Sequence, residues 1–295
     1  MIRQTPNNIG QRPGGPSRPL AHARGSVLAI LLLGAALPAL AQKGTTPPAS
    51  PAPTPVRGVY DPMQDPRKNG MADSGPASAA TVPKAAGETV SVTTLAAPPE
   101  ARSAYDKGIR AYNKQKWPEA QKNLQKAVEI YPKFAAAWYS LGVCLGSQNR
   151  PGDAAAAYRR SIDADPKYPE PYVQLAAVEL NDSKWEEAAD ATGKVIHLDP
   201  QHFPEAYLYN SVANLQLLKF DAAERSAREA LRTDTDHKFP KAEQMLGLAL
   251  ANEKDYAGAR SHLTAYLALE KNPTEIALGR KQLAVIEQEA SEAGH

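Results

Sequence analysis

His197, Asp199 and His202 fall within six consecutive positions, an imidazole and carboxylate set of the kind that can hold a divalent metal in a loop. Cys144, the single cysteine, offers a thiol for nucleophilic or crosslinking chemistry. Little else in the chain has catalytic spacing. Gly-x-Gly-x-x-Gly, Gly-x4-Gly-Lys-Ser/Thr, Gly-x-Ser-x-Gly and His-Glu-x-x-His are all missing, so phosphate cradles, nucleophile elbows and zinc helices lack their usual signatures. Both candidates also have plainer readings. His197 stands where a helix is expected to end, and its partial charge suits the dipole there. Cys144 lies between Val143 and Leu145, surroundings that suit a small buried hydrophobe. The expectation is a chain with no catalytic residues, no metal and no cofactor.

The elements that position these residues are set by internal repetition. Pro132, Pro166 and Pro200 are spaced by 34 residues, and so are Ala120, Ala154 and Ala188. That period belongs to a helix-turn-helix array. Small residues recur on the first helix of each unit (Gly108, Gly142, Ala176, Ser211, Gly247) and on the second (Ala120, Ala154, Ala188, Ala223, Ala259), where they let paired helices approach closely. Pro118 and Pro151 suit the first turn of a second helix, and Pro132, Pro166 and Pro200 stop one. Trp117, Trp185, Phe220 and Tyr256 share one repeat position, as packing residues would.

In the second unit Trp138-x2-Leu141-Gly142-x2-Leu145, then Ala154-x3-Tyr158, then Pro166, resembles the tetratricopeptide repeat pattern at nearly every diagnostic position. Five units are read: 101–134, 135–168, 169–203, 204–239 and 240–273, with 274–290 as a polar-faced capping helix. The fold class expected is an all-α solenoid. The resemblance implies that first helices line a concave groove through repeat positions 2, 5, 9, 12 and 13. Those positions give a largely apolar wall of Tyr105, Ile109, Tyr112, Tyr139, Val143, Val173, Leu180, Leu208, Val212, Leu215 and Leu248. A recurring amide row, Asn113, Asn181, Gln216 and Asn252, accompanies it. Such a surface fits a peptide or protein segment, with amides on its backbone and apolar side chains on its own. Tyr105, Ile109 and Ser140 stand where the family's carboxylate clamp would place Lys and Asn, so capture of a C-terminal carboxylate is not expected. The alternative partner is a second copy of the chain, stacked through its repeats.

The first third of the chain is of another kind. Sixteen of the 26 prolines precede Ala101. A basic stretch ending at Arg24 is followed by the apolar run Val27–Leu37, then Pro38 and the small-residue site Ala39-Leu40-Ala41, the order of a secretory signal peptide. Cleavage is expected between Ala41 and Gln42, sending the product to the periplasm or outside the cell; the alternative is an inner-membrane anchor left uncleaved. Residues 42–100 carry eleven prolines and few large apolar side chains, a disordered spacer in which only Val90–Leu95 has the look of an added strand. Lysine and arginine number 34 against 32 acidic residues, but six of the basic ones fall in the first 60 positions, where there is no acid. The rest of the chain is therefore weakly acidic, and nucleic acid is not an expected partner.

Overall fold

A computed structural model describes residues 91–293; the leader over 1–41 and the spacer as far as residue 90 lie outside the described residues. The described part is all-α. A one-turn helix α1 (Val92–Ala96) precedes five hairpins: α2 (Pro99–Asn113) with α3 (Trp117–Ile130), α4 (Ala135–Gly146) with α5 (Pro151–Ala164), and α6 (Glu170–Asn181) with α7 (Trp185–Leu198). Then come α8 (Pro204–Gln216) with α9 (Phe220–Thr233), α10 (Lys241–Asn252) with α11 (Tyr256–Leu269), and the closing α12 (Pro273–Ala293). Each helix packs on its hairpin partner and each second helix on the first helix of the next hairpin, the one-dimensional pattern of an α-solenoid.

Three local devices repeat along the array. Within every hairpin the first helix ends in a left-handed residue, Gln115, Asn149, Ser183, Leu218 or Lys254, with φ of 56, 59, 59, 58 and 67°. The next N–H returns to the carbonyl five residues back (Lys116 to Ala111, 3.0 Å; Lys219 to Asn214, 2.8 Å), which is a Schellman closure built five times without glycine. The second helix starts at once, with Pro118 and Pro151 in its first turn.

In three of the four turns between hairpins, a carboxylate closes the turn. Asp165 accepts from Lys167 N–H, Asp199 from the N–H groups of Gln201 and His202, and Asp234 from those of Lys238 and Phe239. Phe134, Tyr168, Phe203 and Phe239 stand in the four turns between hairpins, each buried ahead of the next first helix. This aromatic series shares the repeat period and was legible, but proline and alanine spacing draws the eye first.

The small positions inside each hairpin are matched to what faces them. A Cβ on Gly108 would lie 2.7 Å from Leu124 Cγ, one on Gly142 would run into the Tyr158 ring, and one on Gly247 would lie 3.0 Å from Leu263 Cγ. Where the facing residue is smaller, Thr192 or Ala227, the first helix carries Ala176 or Ser211 instead. Volume is thus traded across the pair, a small residue facing a large one or two of intermediate size facing each other.

The reading of 91–100 as spacer, with a strand-like stretch, is corrected. Ser91 and Ala97 are buried, Ser91 Oγ donates to Asp165 Oδ2 at 2.6 Å, and Thr93 Oγ1 accepts from Ala135 N–H at 3.1 Å. These two bonds cap the start of α4 and the end of α5, so residues 91–97 belong to the folded array. At the other end α12 buries Ile286 and Gln282, with Gln244 Nε2 donating to Gln282 Oε1 at 2.9 Å, while Arg280, Lys281, Glu287 and Gln288 face outward. No helix of the described residues is long and apolar enough to cross a membrane.

Candidate functional site

The first helices form one layer of the solenoid, with α2 against α4, α6 against α8 and α8 against α10. Two of them are apolar nearly all round, α4 and α10 each burying nine of twelve residues, whereas α2 keeps a charged outer face. A helix flanked by neighbours on three sides has no single wet face, and this decides where the expected groove residues go. Tyr112, Val143, Val173, Leu208, Leu215 and Leu248 are interior, packed between neighbouring helices. Tyr105, Ile109, Tyr139, Leu180 and Val212 are half-buried and form the accessible apolar part. Asn113 and Asn181 are exposed; Gln216 and Asn252 are half-buried.

The amides have unequal surroundings. Asn252 Nδ2 donates back to Leu248 O at 2.8 Å, within its own helix. Gln216 Nε2 is buried and has no hydrogen-bond partner among the described residues. The second repeat completes the row with Ser147, which sequence reading passed over; its hydroxyl lies 3.0 Å from the Tyr112 hydroxyl. Beside the row stands an aromatic cluster. Tyr139 meets the ring of Tyr168 edge-on at 5.6 Å and that of Tyr158 at 6.1 Å, and Tyr105 meets Phe134 at 5.1 Å. Ser140, buried, donates to the Tyr105 hydroxyl at 3.4 Å.

The two candidates for chemistry have structural occupations. His202 Nδ1 lies 2.8 and 2.9 Å from the two Asp199 oxygens, and His197 is exposed at the end of α7. Burial alone would raise the Asp199 pKa, but hydrogen bonds from the His202 ring and from the N–H groups of Gln201 and His202 prevail and hold it below the usual range. Asp199 thereby does what Asp165 and Asp234 do in their turns. Among the described residues no three His, Cys, Asp or Glu side chains converge in a metal-binding arrangement. Cys144 is buried with its thiol 3.7 Å from Trp117 O. Burial pushes that thiol's pKa up, against a smaller effect of Gln148, which disfavours the reactive thiolate.

Two surface crevices, of about 390 and 570 Å³, lie away from the expected wall. The smaller runs along α2 and α3 beside Lys107 and Lys126; the larger runs along α7 beside Pro166 and Tyr172.

Residues 105–169, the stretch from the first hairpin to the turn before the third, match the family model described as tetratricopeptide repeat. Over that stretch the chain carries tetratricopeptide repeats. No curated protein sequence matches it. Among solved structures, PilF of Pseudomonas aeruginosa is 20% identical with a TM-score of 0.53, covering 66% of this chain and 89% of its own. YrrB, described as a TPR protein with an unusual peptide-binding site, is 15% identical with a TM-score of 0.54, covering 64% and 96%. MamA of Desulfovibrio magneticus is 17% identical with a TM-score of 0.52, covering 59% and 96%. These likenesses concern the fold: a tetratricopeptide array fixes a surface, and its specificity rests on scattered side chains.

Proposed function

We propose that this chain is a non-catalytic adaptor that holds a polypeptide segment against its layer of first helices, and that it works outside the cytoplasm after cleavage between Ala41 and Gln42. The observation that carries the binding half is Gln216. Its Nε2 is a buried donor without a partner among the described residues, at a position where the array repeats an amide or hydroxyl in every unit. An unsatisfied buried donor costs about 1–3 kcal/mol, which an incoming peptide carbonyl would remove. Asn113 and Asn181 offer exposed amides along the same row, and Tyr105, Ile109, Tyr139, Leu180 and Val212 offer half-buried apolar contact beside it. The ligand is therefore a segment that pairs its main chain with amides and places one or two apolar side chains near Tyr139. The wall is less open than its sequence positions suggest, so contact is shared between polar and apolar groups.

The peptide-binding site in the description of YrrB, and the pilus biogenesis role in that of PilW (17% identical, TM-score 0.53), lend the reading support. The export half rests on the ordered basic, apolar and small-residue segments of 1–41. A photo-crosslinking residue at Tyr139, with one at exposed Arg160 as control, tests the binding half. A dominant adduct formed from position 139 and not from 160 supports it; adducts of the chain only with itself would replace the adaptor by a homo-oligomer. N-terminal sequencing of the mature protein tests the export half. A product beginning at Gln42 supports cleavage, and an intact leader in the membrane fraction overturns it.

A further inference from the structure

The fully buried residues of the array fall into two groups. Buried apolar residues from Ala97 to Tyr158, with Leu175, pack as one group, and those from Tyr172 to Ile286 as another. They meet on α6, where Leu175 turns back to the second hairpin while Tyr172, Val173, Ala176 and Ala177 turn forward, and half-buried Ile162 touches both. The first helices repeat the break. The side-by-side approach that α2 and α4, α6 and α8, and α8 and α10 make is weakest between α4 and α6. Beside it the ring of Tyr168, in the turn between the two hairpins, stands edge-on to Tyr139 at 5.6 Å.

A buried carboxylate lies at the same junction. The repeat position that holds Ala111, Leu145, Asn214 and Leu250 in the other hairpins holds Glu179 in the third. Glu179 is 4% exposed. Its Oε1 takes one ion pair, at 3.3 Å, from Arg159 Nη2 across the junction, and its Oε2 is buried with no hydrogen-bond partner among the described residues. Burial raises the Glu179 pKa against the pull of Arg159. A buried charge with one lone partner stabilises an interface less than an apolar side chain of the same volume.

We infer that the solenoid is two cooperative blocks, residues 91–168 and 169–293, joined at a weak seam between α5 and α6 where Glu179 stands. The array bends and opens at this seam, where the buried carboxylate coincides with the weakest approach between first helices. In a stack whose stability is a sum of repeat and nearest-neighbour contributions, one weak interface is enough to uncouple the sides. The inference rests on packing alone and holds whatever the inner face binds.

The tryptophans divide between the blocks, Trp117 and Trp138 in one and Trp185 in the other. Urea unfolding is followed in two variants of the full chain, Trp185→Phe and Trp117→Phe with Trp138→Phe. The expected result is two separate midpoints, which move together when Glu179→Leu is added, leucine being what the second and fifth hairpins carry at this position. Hydrogen exchange of the unaltered chain provides a check free of substitutions: amides of α2–α5 are expected to share one opening free energy and those of α6–α12 another. A single midpoint for both reporters, or one common exchange limit across α5 and α6, overturns the inference. So does a Glu179→Leu variant that folds but leaves the midpoints apart.

Discussion

Gly142→Ala exposes the volume trade between paired helices most sharply. A Cβ at Gly142 would overlap two ring carbons of Tyr158 and lie 3.1 Å from Cζ, against the usual 3.5–4.0 Å or so for carbon contacts. The ring cannot easily retreat, since it is buried and backed by Tyr139. Overpacking of this kind costs about 1–3 kcal/mol, and the helix propensity gained by replacing glycine returns about 1 kcal/mol. The net expectation is a loss of roughly 1 kcal/mol. In a Tyr158→Thr background, which copies the natural Ala176 and Thr192 pair, the clash is gone and the same substitution should stabilise by up to about 1 kcal/mol. The coupling between the two positions is then about 1–3 kcal/mol. Urea denaturation in the Trp185→Phe background, reported by Trp117 and Trp138, measures all four corners of the cycle. Gly152→Ala is the control, because nothing lies within 4 Å of a Cβ there. If Gly142→Ala is equally stabilising with and without the tyrosine ring, the argument from paired volumes fails.

Other expectations follow from single devices. Leu218, with φ of 58° and an exposed side chain, is the least suited of the five left-handed residues, so Leu218→Gly should raise stability by about 0.5–1 kcal/mol in thermal denaturation. Ser91→Ala leaves the buried Asp165 Oδ2 without its 2.6 Å donor and should cost about 1–3 kcal/mol, seen also as faster hydrogen exchange at the start of α4. Glu205 is raised to about 7 by burial, with Asp234 adding to and Lys238 opposing the shift. Its folded pKa lies above its unfolded one, so the stability of the neutral form is complete below about pH 4 and is lost as pH rises through 7. Glu205→Gln should therefore match the wild type near pH 4 and exceed it by about 1–3 kcal/mol at pH 8; parallel stability profiles would refute this.

Much of the array was legible because its causes are periodic. Gly142, Ala154 and Pro166 each answer a steric demand that every hairpin repeats, so spacing reveals them without any knowledge of contacts. What Asp199 does was not legible, because its role depends on a turn conformation, visible only once Asp165 and Asp234 are seen closing the same turn. Residues 91–97 were misassigned for a related reason. Ser91 and Thr93 are held by partners 74 and 42 residues away, and nothing local to them reports it. The groove is the hardest case. Positions such as Val173 and Leu208 point to the inner layer by register, but how far neighbouring helices cover them depends on helix separation, which sequence spacing leaves open.

The central claim, that the amide row along the first helices engages a polypeptide main chain, is tested most directly by affinity. The segment captured at position 139 would be made as a synthetic peptide and titrated against the wild type, an Asn181→Ala and Gln216→Ala double variant, and an Arg160→Ala control. Two lost hydrogen bonds at about 1 kcal/mol each predict a weakening of roughly 30-fold for the double variant and none for the control. Equal binding by all three proteins, with helicity unchanged, would contradict the account.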